Sequence, residues 1–294
     1  MKFITFLTTT LLAILTLSPE AFAQSNPPKC PPGEMPVTHL MSQIKSNIMK
    51  LYVKDITHID GVSGCVSKNA LNSITTFDTI KLYKKYNPSS KLSNASIDND
   101  TNTAVRILKM LRNDPEYPLI ISDFISLQFP NLQIVEKYSF VGNSTIKDFR
   151  HPSILIVGDF ALCESDISNV SLPNAIIIGD YAFADCDHLQ TVNLPNAVLI
   201  GKGAFVETRS IASLQLPNAT TIQASAFSYA TQLRHLELTT PNPITLGHIF
   251  ENPRDSKNID LVLNKNKSPN GNSSPKATDA THWAGYEWKS ITYK

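Results

Sequence analysis

The sequence is poor in the features that mark several large classes of protein. Its 294 residues include only four cysteines and no Cys-x-x-Cys pair, the spacing typical of zinc ribbons and of thioredoxin-type redox sites. Its 26 basic and 25 acidic residues leave a net charge of +1 without a long run of one sign, whereas a nucleic-acid binder usually carries a basic surface. The composition therefore argues against a zinc module, a dithiol redox enzyme and a nucleic-acid-binding protein.

Sequence motifs for catalysis and metal binding are also missing. The seven histidines are scattered, and none belongs to a His-Glu-x-x-His or another metal-ligand spacing. The chain contains neither a Gly-x-Ser-x-Gly elbow nor a glycine loop of the kind that binds phosphate. We therefore expect no enzyme activity, no metal site and no cofactor. Hydrolysis by the region of residues 24–121 is the remaining catalytic alternative.

The first 23 residues have the pattern of an export signal. Lys2 supplies the positive start, "FLTTTLLAILTL" the apolar centre, and residues 21–23 (Ala-Phe-Ala) the cleavage site. This segment is short for a membrane span, and no second apolar stretch reaches about 18 residues. We expect an exported chain without a stable membrane span, secreted or on the cell surface. A periplasmic location and a retained anchor are the alternatives.

Export would place the cysteines in an oxidising compartment, where disulfides form. Pairing Cys30 with Cys65 and Cys163 with Cys186 would keep each bridge within one module. Free buried thiols are the alternative for Cys163 and Cys186, and the sequence does not decide between the two.

The most informative feature is a repeat with a period in the low twenties. "LPNAIIIGDYAF" at residues 172–183 returns as "LPNAVLIGKGAF" at 194–205 and as "LPNATTIQASAF" at 216–227. The prolines at positions 130, 152, 173, 195 and 217 are spaced by 22, 21, 22 and 22 residues. The pattern apolar-x-x-apolar-x-apolar recurs before the prolines, most cleanly in "LQTVNL", "IASLQL" and "ISNVSL". This combination predicts a leucine-rich repeat solenoid.

Each part of the repeat has an expected place in a coil. The residues before the proline alternate as in a short strand, which proline then ends because it lacks an N–H group. Equivalent residues of successive coils lie about 4.8 Å apart, so we expect stacked phenylalanines at 183, 205 and 227. Gly179 and Gly201 are expected to adopt positive φ angles where the chain turns. The predicted fold class is an α/β-type solenoid: a right-handed coil with a parallel strand ladder, preceded by a small α+β or helical N-terminal domain.

The repeat also resembles a known family. The string "LxxVxLPNAxxIGxxAFxxCxxL" is matched between Leu172 and Phe205, with Cys186 at the cysteine position. It is similar to the BspA-like, or Treponema pallidum-type, leucine-rich repeats of bacterial surface proteins. The resemblance covers about residues 122–250. It implies export, recognition of a protein or cell surface through the repeats, and no catalytic residues.

The predicted domain organisation has a signal peptide at residues 1–23, an N-terminal domain at 24–121, repeats at 122–251 and a C-terminal cap at 252–294. In the N-terminal domain, "VTHLMSQIKSNIMKLYVKD" from Val37 predicts a helix, "ITTFDTIKLYKKY" a strand, and "TNTAVRILKMLRN" a second helix. No family is evident for this domain.

The cap combines a strand, a loop and an aromatic segment. "IDLVL" at residues 259–263 predicts one last strand, and the following stretch, rich in Asn, Ser, Lys and Pro, predicts a flexible loop. Both tryptophans, Trp283 and Trp288, lie near the C-terminus. We interpret them as covering the end of the solenoid, because an uncapped end would expose an apolar coil. A pair of ligand-stacking tryptophans is the alternative.

The outward residues of successive strands should form a continuous strip. Amides and hydroxyls dominate its middle, and charges its two ends, which suits hydrogen bonding more than long-range steering. We expect the strip to bind a protein or another cell-surface macromolecule, and the alternative is a carbohydrate. The candidate binding residues are Arg150, Asn169, Asn193, Gln215, Arg234, His235 and Glu237.

Overall fold

The structure is a computed structural model that describes residues 30–56, 65–67, 70–91, 101–127, 129–268 and 278–294. The predicted signal peptide lies outside the described residues. Residues 269–277, which form part of the predicted flexible loop, lie outside them as well.

The region before the repeats is mainly helical. Its helices are α1 (Val37–Gln43), α2 (Asn47–Ile56), α3 (Thr79–Tyr86), α4 (Thr101–Arg112) and α5 (Glu116–Leu127). Two short strands pair antiparallel beside them. Strand β1 (Glu34–Pro36) precedes α1, and strand β2 (Cys65–Ser67) lies between α2 and α3. A disulfide joins Cys30 to Cys65 and fastens the start of the described chain to β2, which confirms this predicted pairing. Helix α4 confirms the helix predicted in this stretch.

The predicted single helix from Val37 is wrong, because the chain breaks between α1 and α2. The carboxylate of Asp123, on α5, accepts hydrogen bonds from the backbone N–H groups of Lys45 at 2.9 Å and Ser46 at 2.7 Å. Glu116, also on α5, accepts from the N–H of Asn47 at 3.0 Å. Two carboxylates from a distant helix thus cap the start of α2. The periodicity of the local sequence contains no sign of this.

The strand predicted over residues 74–86 is mostly wrong as well. Only β3 (Thr76–Phe77) is extended, and α3 begins two residues later. The carboxylate of Asp78 accepts from the N–H of Lys81 at 2.9 Å, as an N-cap residue does. The helix therefore starts at its own capping signal, which outweighs the alternating pattern.

The solenoid carries two parallel ladders. The first, which we call the two-residue ladder, consists of β3, β4 (Ile134–Val135), β6 (Ile156–Val157), β8 (Ile177–Ile178), β10 (Leu199–Ile200), β12 (Thr221–Ile222) and β14 (Thr245–Leu246). Neighbouring strands pair in register, for example Ile200 with Ile222. Because β3 is its first strand, the ladder begins before the repeats that are visible in the sequence.

The second set of parallel strands is the strand face, formed by the segments before the prolines and by two later segments, in two adjacent sheets. Its strands are β5 (Asp148–Arg150), β7 (Asn169–Ser171), β9 (Thr191–Asn193), β11 (Ser213–Gln215), β13 (His235–Leu238), β15 (Asp260–Leu263) and β18 (Ser290–Tyr293). Strand β15 confirms the strand predicted at 259–263, and β18 adds one more parallel strand after it. Between them lies a short antiparallel pair, β16 (His282–Trp283) and β17 (Tyr286–Glu287). The predicted solenoid fold is therefore confirmed, with a small helical region at its N-terminal end.

The interior of the coils contains the predicted column of aromatic rings. The ring centroids of Phe183 and Phe205 lie 5.4 Å apart, and those of Phe205 and Phe227 lie 6.2 Å apart. We call the buried residues at this repeat position, together with the rings that extend them at each end, the phenylalanine column. Its members are Phe77, Phe140, Leu162, Phe183, Phe205, Phe227 and Phe250.

A second aromatic column was not predicted. Tyr138, Phe160 and Tyr181 occupy the position eight residues after each proline, and their rings stack at 5.3 and 4.9 Å. Each has a positive φ angle between 56° and 62°, which bulky residues rarely adopt. In the next coil Gly203 takes this position, and a Cβ there would lie 2.5 Å from the ring of Tyr181. Packing between coils therefore overrides local backbone preference at this corner.

The expectation of positive φ at Gly179 and Gly201 is wrong, because the positive φ angles occur two residues later in the repeat. Glycine is required for another reason. A Cβ on Gly201 would lie 2.6 Å from the carbonyl carbon of Gly179 and 2.7 Å from the backbone nitrogen of Asp180. The absent side chain allows the backbones of adjacent coils to approach each other.

An asparagine ladder joins the coils at the corner after each proline. The side-chain amides of Asn174, Asn196 and Asn218 each donate to the carbonyl of the proline in the preceding coil at 2.8 Å. Ser153 makes the equivalent bond in an earlier coil, at 2.6 Å. The asparagine of the repeated "LPNA" thus satisfies a backbone acceptor that proline leaves outside the ladders.

Candidate binding surface

The outward side chains of the strand face form two rows. Register places Asp148, Asn169 and Thr191 side by side in one row, and Arg150, Ser171 and Asn193 in the other. Across the break described below, the rows continue with Ser213 and His235, and with Gln215 and Glu237. The structure therefore places most of the predicted binding residues on the same side of the coil, on two sheets that meet between β9 and β11.

Hydrogen bonds between rungs fix the side chains of the first strands. The amide of Asn169 donates to Asp148 at 2.8 Å, and the hydroxyl of Thr191 donates to the side-chain oxygen of Asn169. In the second row the amide of Asn193 donates to the hydroxyl of Ser171 at 3.1 Å. Side chains that are already held in place lose less conformational entropy when a partner binds.

The accessible part of the strip ends near Gln215. Asn193 and Gln215 are exposed, whereas Glu237 is only 9% exposed and pairs with the ammonium group of Lys294 at 2.9 Å. Val262, the next residue in that row, is buried. The charged C-terminal end that the sequence predicts is therefore not an open surface, because the cap supplies the partner of Glu237.

Arg234 is exposed and His235 is half-buried. The guanidinium of Arg234 donates to the carbonyls of Thr231 and Leu233, both at 2.9 Å, so this side chain folds back onto its own coil. His235 is half-buried, at the boundary between the open and the covered part of the strip. The open strip consists of the outward side chains from Asp148 to Gln215, and we use this name for them.

The strand face is interrupted in the middle of the open strip. Strands β9 and β11 are neighbours but belong to separate sheets. Val192 is half-buried at this junction, whereas its counterparts Val170 and Leu214 are 2% and 1% exposed. Backbone groups that do not take part in a ladder need other hydrogen-bond partners.

Trp283 and Trp288 do not form a ligand-stacking pair, since each is only 1% exposed. The indole N–H of Trp288 donates to the carbonyl of Trp283 at 3.1 Å, and its ring meets Phe250 edge-on at 5.9 Å. The tryptophans thus cover the last ring of the phenylalanine column, as the cap interpretation predicts.

Cys163 and Cys186 are free and buried. Their predicted pairing is therefore not formed, and the alternative of free thiols holds. Burial raises the pKa of both thiols well above the usual range. The thiolate, which is the reactive form, is thus disfavoured at neutral pH. Among the described residues, no group of three His, Cys, Asp or Glu side chains is arranged to hold a metal ion.

Acidic residues recur at one further turn of the repeat. Glu164, Asp185 and Glu207 occupy equivalent positions of successive coils, all with positive φ angles. Partial burial, followed by the charges of Glu207 and Glu164, raises the pKa of Asp185 to about 6. Arg209 bonds to Asp187 at 2.8 Å and also to Glu207, which offsets part of this negative charge.

Taken together, the parallel ladders, the buried column and the repeated turns define a leucine-rich repeat solenoid. The family comparison agrees: residues 121–262 match the model of the BspA type leucine rich repeat region, in six copies. The repeats of this chain are therefore of the BspA type, as the sequence resemblance implies.

A solved structure of a leucine-rich repeat protein from Bacteroides ovatus ATCC 8483 is also similar to the chain. The identity is 15% and the TM-score 0.30, and the match covers 46% of this chain and 53% of that one. The match thus spans about half of the Bacteroides protein. No curated protein matches the chain. Within the described residues, we find no helix with the length and apolar character needed to cross a membrane.

Proposed function

We propose that this protein is an exported bacterial repeat protein that binds a macromolecular partner, a protein or another component of a cell surface, through the open strip. The observation that carries the proposal is the pair of polar rows, held rigid by hydrogen bonds between rungs. A solenoid presents such a surface without reorganising, and this lowers the entropic cost of association.

Two further observations support export. The disulfide between Cys30 and Cys65 is of a kind that persists in oxidising compartments. The first 23 residues have the positive start, apolar centre and cleavage site of a signal peptide. Secretion, surface attachment and retention in the periplasm would all be compatible with both observations.

The strip favours a protein partner over a glycan. Sugar sites usually combine hydrogen-bonding groups with exposed aromatic rings that stack on the sugar face. Both tryptophans are buried, and the outward positions of the open strip carry no aromatic residue. The strip offers amides, hydroxyls and, at its N-terminal end, the charged pair Asp148 and Arg150.

The test measures binding to immobilised host and bacterial surface proteins and to a glycan array. It compares the wild-type protein with a triple variant of the open strip that carries Asn169→Ala, Asn193→Ala and Gln215→Ala. A matched control replaces three exposed amides outside the strip: Gln133, Gln232 and Asn258, each by alanine. Because each lost hydrogen bond contributes about 1 kcal/mol, we expect the strip variant to bind its protein partner at least tenfold more weakly, with the control unchanged.

The two variants also separate binding from folding. Equal loss of binding in the strip variant and in the control would contradict the proposal, as would retention of full affinity by a folded strip variant. Binding confined to the glycan array, with the same dependence on the strip, would replace the protein partner by a carbohydrate.

A further inference from the structure

The two-residue ladder carries an aliphatic surface that the open strip does not use. In three successive coils, the third and fourth residues after the proline are aliphatic and accessible to solvent. These residues are Leu155, Ile156, Ile176, Ile177, Val198 and Leu199, and we call them the aliphatic patch. Ile176 is 44% exposed and Val198 is 38% exposed, and both are among the few large apolar side chains of the described residues with this degree of exposure.

Polar residues border most of the aliphatic patch. The preceding coil has Gln133 and the half-buried Ile134 at the equivalent positions, and the following coil has Thr220 and Thr221. Along one side lies the asparagine ladder, including Asn174 and Asn196. An exposed apolar area with a polar rim is typical of an interaction site. Since threonine occupies these positions in the following coil, the fold itself does not require the aliphatic residues.

The charges beside the aliphatic patch indicate the orientation of a partner. The position seven residues after the proline is Asp180 in one coil and Lys202 in the next. Within the chain, Asp180 accepts from the backbone N–H of Lys202 at 2.8 Å, and the Lys202 ammonium lies 5.8 Å from the centre of the Tyr181 ring. The sign therefore changes between the two coils that bear Ile176 and Val198, the most exposed residues of the patch. A second copy related by a two-fold axis that runs along the strands, between these two coils, would place its Val198 opposite Ile176. It would also place its Lys202 opposite Asp180. Each contact would occur twice, as two-fold symmetry requires.

The size of the face sets the strength of such a contact. The aliphatic patch and the coil on each side of it span five coils, and four steps of about 4.8 Å measure roughly 19 Å. Across each coil, a width of about six residues at about 3.3 Å each measures roughly 20 Å. Two such faces would bury on the order of 800 Å² in total, which is below the standard size for a stable interface and is typical of weak complexes.

We propose that the aliphatic patch is the contact surface of a reversible antiparallel homodimer. The contact lies on a different side of the coil from the open strip, so it does not depend on the proposed binding function. The two strips remain uncovered in the dimer.

Sedimentation of the purified protein, expressed with its own N-terminus in an exporting bacterium, tests this proposal. The weight-average mass should rise from that of a monomer toward twice that value between about 1 and 200 µM, a range that brackets a micromolar dissociation constant. A wild-type protein that stays monomeric over the whole range would overturn the proposal.

Apolar variants test whether the patch is the contact. Ile176→Thr with Val198→Thr copies the residue type of the following coil and should weaken the dimer at least tenfold. Thr220→Val with Thr221→Leu copies the preceding coil and extends the patch, so it should strengthen the dimer severalfold. Circular dichroism and thermal melting check that each variant is folded. A folded threonine variant that dimerises like the wild type would exclude this face.

Charge variants test the orientation. Lys202→Glu should weaken the dimer about tenfold, because it would face Asp180 of the second copy. Adding Asp180→Asn, which keeps the side-chain oxygen that accepts from the N–H of Lys202 at 2.8 Å, should restore part of the loss. An equal affinity for the single and the double variant would contradict the antiparallel arrangement.

Discussion

Phe205 lies in the middle of the phenylalanine column, and its removal tests the claim that stacking between coils stabilises this fold. Its side chain is 1% exposed, with rings at 5.4 Å on one side and 6.2 Å on the other. We consider Phe205→Ala, which empties this position, and Phe205→Leu, which copies Leu162 at the same position of another coil.

The expected destabilisation follows from what each variant removes. Truncation of a buried phenylalanine to alanine typically destabilises a protein by about 3–5 kcal/mol, and complete burial places Phe205 within this range. Leucine refills most of the volume, so the main loss is two ring contacts of about 0.5–1 kcal/mol each. We therefore expect about 4 kcal/mol for Phe205→Ala and about 1.5 kcal/mol for Phe205→Leu.

Urea unfolding, followed by circular dichroism and by the fluorescence of Trp283 and Trp288, measures both variants. Both tryptophans lie in the cap, so coincident transitions would show that repeats and cap unfold together. A later fluorescence transition in Phe205→Ala alone would mean that the coils on the two sides of the cavity have become uncoupled. Equal free energies of unfolding for the two variants, or a loss below about 2 kcal/mol for alanine, would refute the role assigned to the column.

Three further predictions concern other parts of the fold. Asn196→Ala removes the 2.8 Å hydrogen bond to the carbonyl of Pro173 and should lower the free energy of unfolding by about 1 kcal/mol, as measured in urea; an unchanged value would contradict the ladder's role. In the folded protein the pKa of Asp185 is raised to about 6, above its value in the unfolded chain. The folded protein therefore holds this proton more tightly, and the free energy of unfolding falls as pH rises from about 4 to 7. Asp185→Asn should therefore stabilise the protein at pH 7.5, by about 1 kcal/mol after allowing for solvent screening, and have little effect at pH 4; equal effects at both pH values would count against this. Reduction of the disulfide between Cys30 and Cys65, which are 35 residues apart, should destabilise the helical region by about 2–4 kcal/mol in thermal melts, and a Cys30→Ser, Cys65→Ser variant should then be insensitive to reductant.

The repeat could be predicted from the sequence because its physical causes are local and recur. The alternation before each proline gives the strands, and the fixed interval places Phe183, Phe205 and Phe227 above one another. The asparagine ladder was equally visible in the repeated "LPNA", but its meaning depends on which acceptor lies in the neighbouring coil. That acceptor becomes identifiable only when the coil spacing is known.

Other features depend on contacts between distant segments. The break between α1 and α2 exists because Asp123 caps Ser46 from 77 residues away. The positive φ angle of Tyr181 contradicts the preference of an aromatic residue and is held by stacking on Phe160. The role of Gly201 could not be read from its own position, since the atoms that exclude a Cβ belong to the preceding coil.

The binding surface likewise has one part that the sequence predicts and another part that depends on contacts between distant segments. Pleat geometry alone gave the two outward rows, including Asn169, Asn193 and Gln215. It could not show that Glu237 is covered, because its partner Lys294 lies 57 residues further along the chain. The aliphatic patch was present in the repeat as "AIII" and "AVLI", but alternation cannot tell which of these residues face solvent at a corner of the coil.

The two proposed surfaces have a joint consequence, because they lie on different sides of the same coils. A dimer formed through the aliphatic patch would expose two open strips and could bind a surface that displays many copies of a partner at two points. Bivalent attachment of this kind raises apparent affinity by about 10² to 10⁴ without any new contact. The Ile176→Thr, Val198→Thr variant should therefore bind a densely coated surface much more weakly than the wild type, while its affinity for the same partner in solution stays unchanged. If soluble and surface-bound partners lost affinity equally, the patch would belong to the binding site itself and the two surfaces would not be independent.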